Sequence, residues 1–264
     1  MKYFLLFFLI TNLCFAQVTT NYPQRASHYT SVTDGGGLFD EGTDQVGLWA
    51  NQGNKQSLVF RSFDSNGDGS GDAVTMDAGD SFTITLSATR AYGEIGVALL
   101  NSPTATASWA DKTNNSIAYC VLAGPNGPDS NNDWAPWKAH SNGGSTSTAT
   151  FTATGDADNY TDFVIEFTIS SANEITINLG GESKTLTVDS TTATHFSAWL
   201  NDDWSGTANR NIFIKPTTQL VQNTLSIDEN TELLECLYLP LETSILVKKD
   251  SMNWRLLTYK ESVF

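Results

Sequence analysis

The residues with the clearest chemical potential are Asp64-Ser-Asn66-Gly-Asp68-Gly-Ser70-Gly-Asp72, where an oxygen-bearing side chain recurs at every second position. In a tightly curled loop such alternate oxygens converge on one point. A hard cation such as Ca²⁺, which takes about 6–8 oxygen ligands, fits there. The expected metal ligands are Asp64, Asn66, Asp68 and Asp72, with Asp77 or Asp80 available to complete the shell. The same residues are also the commonest turn formers, because Gly, Asn and Asp tolerate the conformations a sharp turn demands. A plain polar turn between strands is therefore the competing reading.

A second constellation is aromatic. Asn131-Asn-Asp133-Trp134 and Asn201-Asp-Asp203-Trp204 are similar tetrads, and Trp137 closely follows the first. Indole rings in loops stack on the C–H faces of sugar rings, while neighbouring carboxylates and amides orient the hydroxyls. Trp134, Trp137, Trp204, Asp133 and Asp203 are accordingly the expected ligand-binding residues. The alternative is that any one of these rings plugs the end of the core with its N–H bonded to a carbonyl.

The Asp64–Asp72 stretch resembles the calcium loop of EF-hands and dockerin repeats. Asp64, Asn66 and Asp68 match positions 1, 3 and 5, Gly69 the sharp turn at 6, Ser70 position 7 and Asp72 position 9. Thr75 stands where the bidentate Glu would be, and the flanks read as strands, so the resemblance implies a calcium loop between strands, not a helical hand. Catalytic motifs are missing: no HExxH, GxSxG or P-loop occurs. A lyase set of His140, a Tyr and Arg90 or Arg61 is the enzymatic alternative; otherwise the histidines are ordinary surface or satisfied side chains.

These groups need a scaffold. Met1–Ala16 reads as a secretory signal: Lys2 is the charged start, Phe4–Ile10 the apolar run, and Cys14-Phe-Ala16 a small-x-small cleavage site. The run is short of the roughly 20 apolar residues that span a bilayer, and no later stretch is apolar enough, so no membrane span is expected. The remaining chain, without Lys2, has 13 Lys+Arg against 29 Asp+Glu, a net charge of −16. Such a field repels phosphate backbones and excludes nucleic acid as an expected partner, while it suits divalent cations and neutral ligands. Cys120 lies in the apolar run Ile117–Leu122 and reads as a buried, inert thiol.

From Gln17 to Leu220 the pattern is strand alternation. Candidate strands are Gln45–Ala50, Gln56–Phe63, Ser81–Ser87, Glu94–Leu100, Ile117–Leu122, Ala149–Ala153, Asp162–Ser170, Asn173–Leu179, Lys184–Val188, His195–Leu200 and Asn211–Lys215. The expected fold is all-β: an antiparallel β-sandwich of jelly-roll type with about ten strands, each sheet apolar on its inner face and studded with Thr and Ser outside. Composition changes after Leu220, which implies domains at 1–16, 17–220 and 221–264, the last a small β tail.

That tail is similar to the C-terminal sorting domain of type IX secretion cargo. Leu225-Ser-Ile-Asp-Glu-Asn230 matches its opening, and Leu237-Tyr-Leu-Pro240 and Ile245-Leu-Val-Lys248 stand where later motifs fall, in a degenerate form without the Pro-Asn-Pro core. The resemblance implies the type IX machinery as a partner and a secreted or cell-surface location. The main domain resembles concanavalin A-like lectin and carbohydrate-binding β-sandwiches in architecture and loop composition. It implies a glycan or polysaccharide partner. The alternatives are a lyase or glycoside hydrolase on the same fold, or a surface adhesin.

Overall fold

The structure is a computed structural model that describes residues 15–51, 53, 55–89, 94–101, 111–123, 137–143, 149–152, 159–202, 210–225, 244–250 and 253–258. Phe15–Thr224 forms one compact unit, and the tail belongs to another. The strands of the first unit are β1 Phe15–Asn21, β2 Thr30–Asp34, β3 Gly36–Glu41, β4 Gln45–Ala50, β5 Lys55–Ser62, β6 Ser81–Thr89, β7 Glu94–Leu100 and β8 Ser116–Ala123. They continue with β9 Lys138–Ser141, β10 Ala149–Thr150, β11 Asn159–Ser171, β12 Glu174–Leu179, β13 Glu182–Thr187, β14 His195–Asp202, β15 Arg210–Ile214 and β16 Gln219–Leu225. A single helical turn, α1 Asp111–Asn114, precedes β8.

Two antiparallel sheets result. Sheet A runs β13-β12-β11-β6-β15-β4-β3, with β16 bridging β6 and β1, and sheet B runs β10-β9-β8-β7-β14-β5-β2. All eleven strands expected from alternation are present. The sandwich adds β1, β2, β3, β9 and β16, which are short, Gly-rich or polar, and so carry little periodic signal. Among the described residues no helix is long and apolar enough to cross a membrane.

The sheets meet over one core. Sheet A contributes Phe82, Ile84 and Leu86 from β6 and Ile165, Phe167 and Ile169 from β11, while sheet B contributes Val97 and Leu99 from β7 and Phe196, Ala198 and Leu200 from β14. Cys120 is buried here, and burial pushes its thiol up, as expected of an inert side chain.

The expectation of Thr and Ser on both outer faces holds for sheet A and fails for sheet B. On β12 of sheet A buried and partly exposed residues alternate, and the outer hydroxyls of Ser170, Thr176 and Thr185 form a hydrogen-bonded ladder at 2.6 and 3.0 Å. In sheet B the outer residues Leu58, Phe60, Ala98, Leu100, Tyr119 and Trp199 form a second buried cluster. The strands that carry it, such as Glu94-Ile-Gly-Val-Ala-Leu-Leu100, are continuous apolar runs, the pattern of strands covered on both sides.

The boundary expected after Leu220 falls inside β16. Gln219, Leu220 and Val221 pair with Thr83, Phe82 and Ser81, and the Asn223 N–H donates to Asp80 Oδ1 at 2.8 Å. A chain ending at Thr224 is therefore expected to melt cooperatively within a degree or two of the full chain. One ending at Leu220 removes the Asn223 N–H from the buried Asp80 and cuts β16 short, and it should melt several degrees lower, as thermal unfolding followed by circular dichroism will show. Equal melting of the two truncated chains would remove β16 beyond Leu220 from the fold's energetics. In the tail, Ser244–Asp250 (β17) and Asn253–Thr258 (β18) pair as an antiparallel hairpin.

Candidate functional site

The outer face of sheet B is built row by row from strand register. Thr30, Phe60, Ser197, Ala98, Tyr119 and His140 are successive cross-strand partners. One row further, Trp199 lies between Leu58 and Gly96. The Trp199 ring covers Gly96 so closely that a Cβ added there would meet the indole at 1.9 Å. Its N–H donates to Glu94 Oε1 at 3.1 Å, the Lys112 ammonium of α1 pairs with the same carboxylate, and that ammonium sits 5.7 Å from the centroid of the Trp199 ring. His140 stacks on Tyr119 with ring centroids 4.5 Å apart and planes within 8°. All three rings are buried, and burial raises the Tyr119 phenol above its usual range. This face brings a His and a Tyr together, as the lyase alternative requires. Arg61, however, alternates with Phe60 and leaves the sheet on the other side, where it bonds the carbonyls of Pro23 and Gly67. It is lost to that set, and Arg90 lies outside the described residues.

A polar pocket of about 310 Å³ opens at one end of the sheet, lined by Asn101, Asn115, Ser116, Ile117, Asn142, Asp189 and Ser190. Antiparallel pairing gathers them. Leu100 at the end of β7 pairs with Ser116 at the start of β8 and with His195 at the start of β14, and Ser141 at the end of β9 pairs with Ala118. Asn142 is in the left-handed region at φ 56°, which Asn tolerates better than most residues. Its side-chain oxygen accepts the Asp189 N–H at 2.7 Å, and this ties two walls of the pocket together. Amides, hydroxyls and a single carboxylate make a lining that can both donate and accept hydrogen bonds. Sequence reasoning missed this pocket, because its residues come from three separate connections and the start of β8 and share no spacing.

The Asp-rich loop leaves β5 at this same end. Its neck is closed by a bridge between Asp64 and Ala73 and by the Ser65 N–H on the Asp72 carbonyl at 2.9 Å. Asn66 Oδ1 accepts the N–H groups of Asp68 at 3.2 Å and Gly71 at 3.0 Å. Asp68 Oδ1 accepts the Ser70 hydroxyl at 2.6 Å and N–H at 2.9 Å, and these bonds hold its carboxyl below the usual range. Asp64 is 3% exposed: Oδ2 accepts the Gly69 N–H at 3.3 Å, while Oδ1 has no hydrogen-bond partner. Among the described residues no three of His, Cys, Asp and Glu converge as a ready metal cluster. Asp72 contributes its backbone to the neck. The turn reading and the cation reading thus share one loop, in which several oxygens already hold a turn and the buried Asp64 Oδ1 does not.

The expected aromatic platform is corrected at Trp137. It is wholly buried and stacks on Phe163 at 5.5 Å, so it is a core ring with no face for a ligand. Its neighbour in the chain is the short strand β9, which turns it inward. Asp133, Trp134, Asp203 and Trp204 lie outside the described residues. The strand ends that flank them, Ala123, Lys138 and Asp202, sit at the end of sheet B opposite the pocket and the Asp-rich loop.

No protein-family model matches the chain, and no curated protein matches its sequence. Solved structures do match. The chain is similar to the CBM2 module of the evolved Dit of Lactobacillus casei BL23 phage J-1, with 12% identity over 80% of this chain and 98% of that one and a TM-score of 0.50. It is similar to the metal-free lectin I-B4 of Griffonia simplicifolia, with 10% identity over 80% and 100% of the two chains and a TM-score of 0.42. It also matches a sialidase at 10% identity and a TM-score of 0.40, over 75% of this chain; it spans only 19% of that enzyme's length. At such identities the likeness is one of fold alone: a β-sandwich of two antiparallel sheets.

Proposed function

We propose that this chain is a carbohydrate-binding protein that works outside the cell, with residues 1–16 as its export signal and the C-terminal tail as a type IX sorting element. Its ligand is a neutral glycan, and the terminal pocket between β7, β8, β9 and β14 takes one or two sugar units. The observation that carries this reading is the lining: Asn101, Asn115, Asn142, Ser116, Ser190 and Asp189 around about 310 Å³. The volume lies at the lower end of small-ligand sites. Amide and hydroxyl groups pair with sugar hydroxyls as both donors and acceptors, and the strongly negative chain disfavours polyanions. The fold is also one that lectins share. The lyase alternative loses Arg61 from the outer face and keeps the stacked His140 and Tyr119 there, with Arg90 outside the described residues.

The test is a glycan array followed by titration of a hit. Asn115→Ala and Asp189→Ala are each expected to weaken binding about tenfold, the loss of roughly one good hydrogen bond, with little change in melting temperature. Wild-type affinity in both variants would take the site out of this pocket. A loss confined to Trp134→Ala and Trp204→Ala would move it to those two residues.

A further inference from the structure

We infer that the loop from Asp64 to Asp72 binds Ca²⁺, with the buried Asp64 carboxylate as its anchor and Asn66 and Asp68 as companion ligands. Spacing alone does not carry this, because acidic turns are common. The orphan oxygen does. Asp64 is almost fully buried, one carboxylate oxygen is held inside the loop by the Gly69 N–H, and the other has no donor. A buried charge in a folded protein is paired, hydrogen-bonded or bound to a metal; left alone it is costly.

The buried cation nearby, Arg61, does not pair with it: two of its nitrogens donate elsewhere and its Nε has no partner. Arg61 is buried beside the same ring of Tyr22, 4.9 Å from its centroid, and 5.3 Å from that of Tyr29. Its guanidinium donates to the carbonyls of Pro23, at 2.9 Å, and Gly67. Asp64 touches Tyr22 only through its backbone, whose N–H and carbonyl both meet the phenol oxygen at 3.2 Å. The two buried charges share a neighbour and form no ion pair. Arg61 instead supports the loop from below by holding the Gly67 carbonyl.

The cation's class follows from the groups present. They are carboxylate and amide oxygens with no nitrogen or sulfur ligand, which selects a hard ion. Asp68 is exposed and keeps Oδ2 outside its bonds to Ser70, so it can turn to the ion without breaking the fold. With only two carboxylates and an amide, the remaining positions fall to backbone carbonyls and water. Ca²⁺ accepts such an irregular, partly hydrated shell, whereas Mg²⁺ demands a near-ideal octahedron. An affinity of roughly 10⁻⁴–10⁻³ M is expected, that of extracellular modules.

The test is thermal melting and calorimetric titration of the full chain with CaCl₂, MgCl₂ and chelator. At a tenfold excess over Kd, Ca²⁺ is expected to raise the melting temperature by about 3–6 °C, and Mg²⁺ by much less. Asp64→Asn keeps an oxygen for the Gly69 N–H but removes the charge. It should abolish the Ca²⁺ shift while melting, without metal, no lower than the wild type, because an unpaired buried charge has gone. Asp68→Asn should fold normally and bind about tenfold more weakly. An unchanged wild-type melt, or an equal Ca²⁺ shift in Asp64→Asn, would overturn the proposal. An equal response to Mg²⁺ would overturn the choice of ion.

Discussion

Phe196→Ala is expected to destabilise the fold by about 3–5 kcal/mol, the usual range for emptying a large aromatic site in a core. Phe196 stands on β14 of sheet B and faces sheet A. Its ring lies 4.6 Å from Phe82, 5.7 Å from Phe63 and 6.0 Å from both Tyr22 and Tyr29. These partners come from β6, from the connections after β1 and β5, and from the residue before β2. One ring therefore ties together parts of the chain that are far apart in sequence. None of them can collapse into the gap without giving up its own edge-to-face or tilted pairing. Against a total stability of about 5–15 kcal/mol for an ordinary domain, the loss is a large share. It should appear as a fall of roughly 6–20 °C in melting temperature, at about 2–4 °C per kcal/mol for a domain of this size. Phe196→Leu should recover part of it. A loss below about 1 kcal/mol in denaturant titration would show that the aromatic cluster is peripheral to stability.

Gly96→Ala is expected to cost about 2–4 kcal/mol although it adds one methyl group. The new Cβ would meet three Trp199 ring atoms at 1.9, 2.2 and 2.5 Å. Trp199 is fully buried between Leu58, Tyr119 and α1, so the ring cannot swing into solvent to make room. Displacing it combines the strain of overpacking, about 1–3 kcal/mol, with the loss of its N–H bond to the Glu94 carboxylate, about 1–3 kcal/mol for a buried indole N–H left without a partner, while Glu94 keeps Lys112. Gly42→Ala separates this from backbone effects. Gly42 has φ +66° and nothing within 4 Å of a built Cβ, so it should cost only the left-handed strain of about 1–2 kcal/mol. Melting curves and near-ultraviolet circular dichroism will report both the stability and the indole's environment. Equal effects at the two glycines would mean that contact with Trp199 is not what requires Gly96.

What the sequence determined by itself was the strand content and the fold class. Alternation in Ser81–Ser87, Asp162–Ser170 and Asn173–Leu179 is a local property: each residue's face follows from its neighbours two positions away, so the period of an edge-on sheet can be read directly. The turn-forming loop from Asp64 to Asp72 was legible for the same reason, since its oxygens lie close along the chain. Tertiary structure decided everything that depends on register between distant strands. Trp137 reads like Trp134 on the page, yet one core position removes it from any ligand. Asn101, Asn142 and Asp189 form one pocket because β7 and β9 end where β14 begins, and no spacing along the chain records that. The orphan oxygen of Asp64 is likewise invisible in sequence. Arg61, three residues away, turns two of its nitrogens to Pro23 and Gly67 and forms no ion pair with it, and only the packing of β1 and β5 against the loop settles where those bonds go.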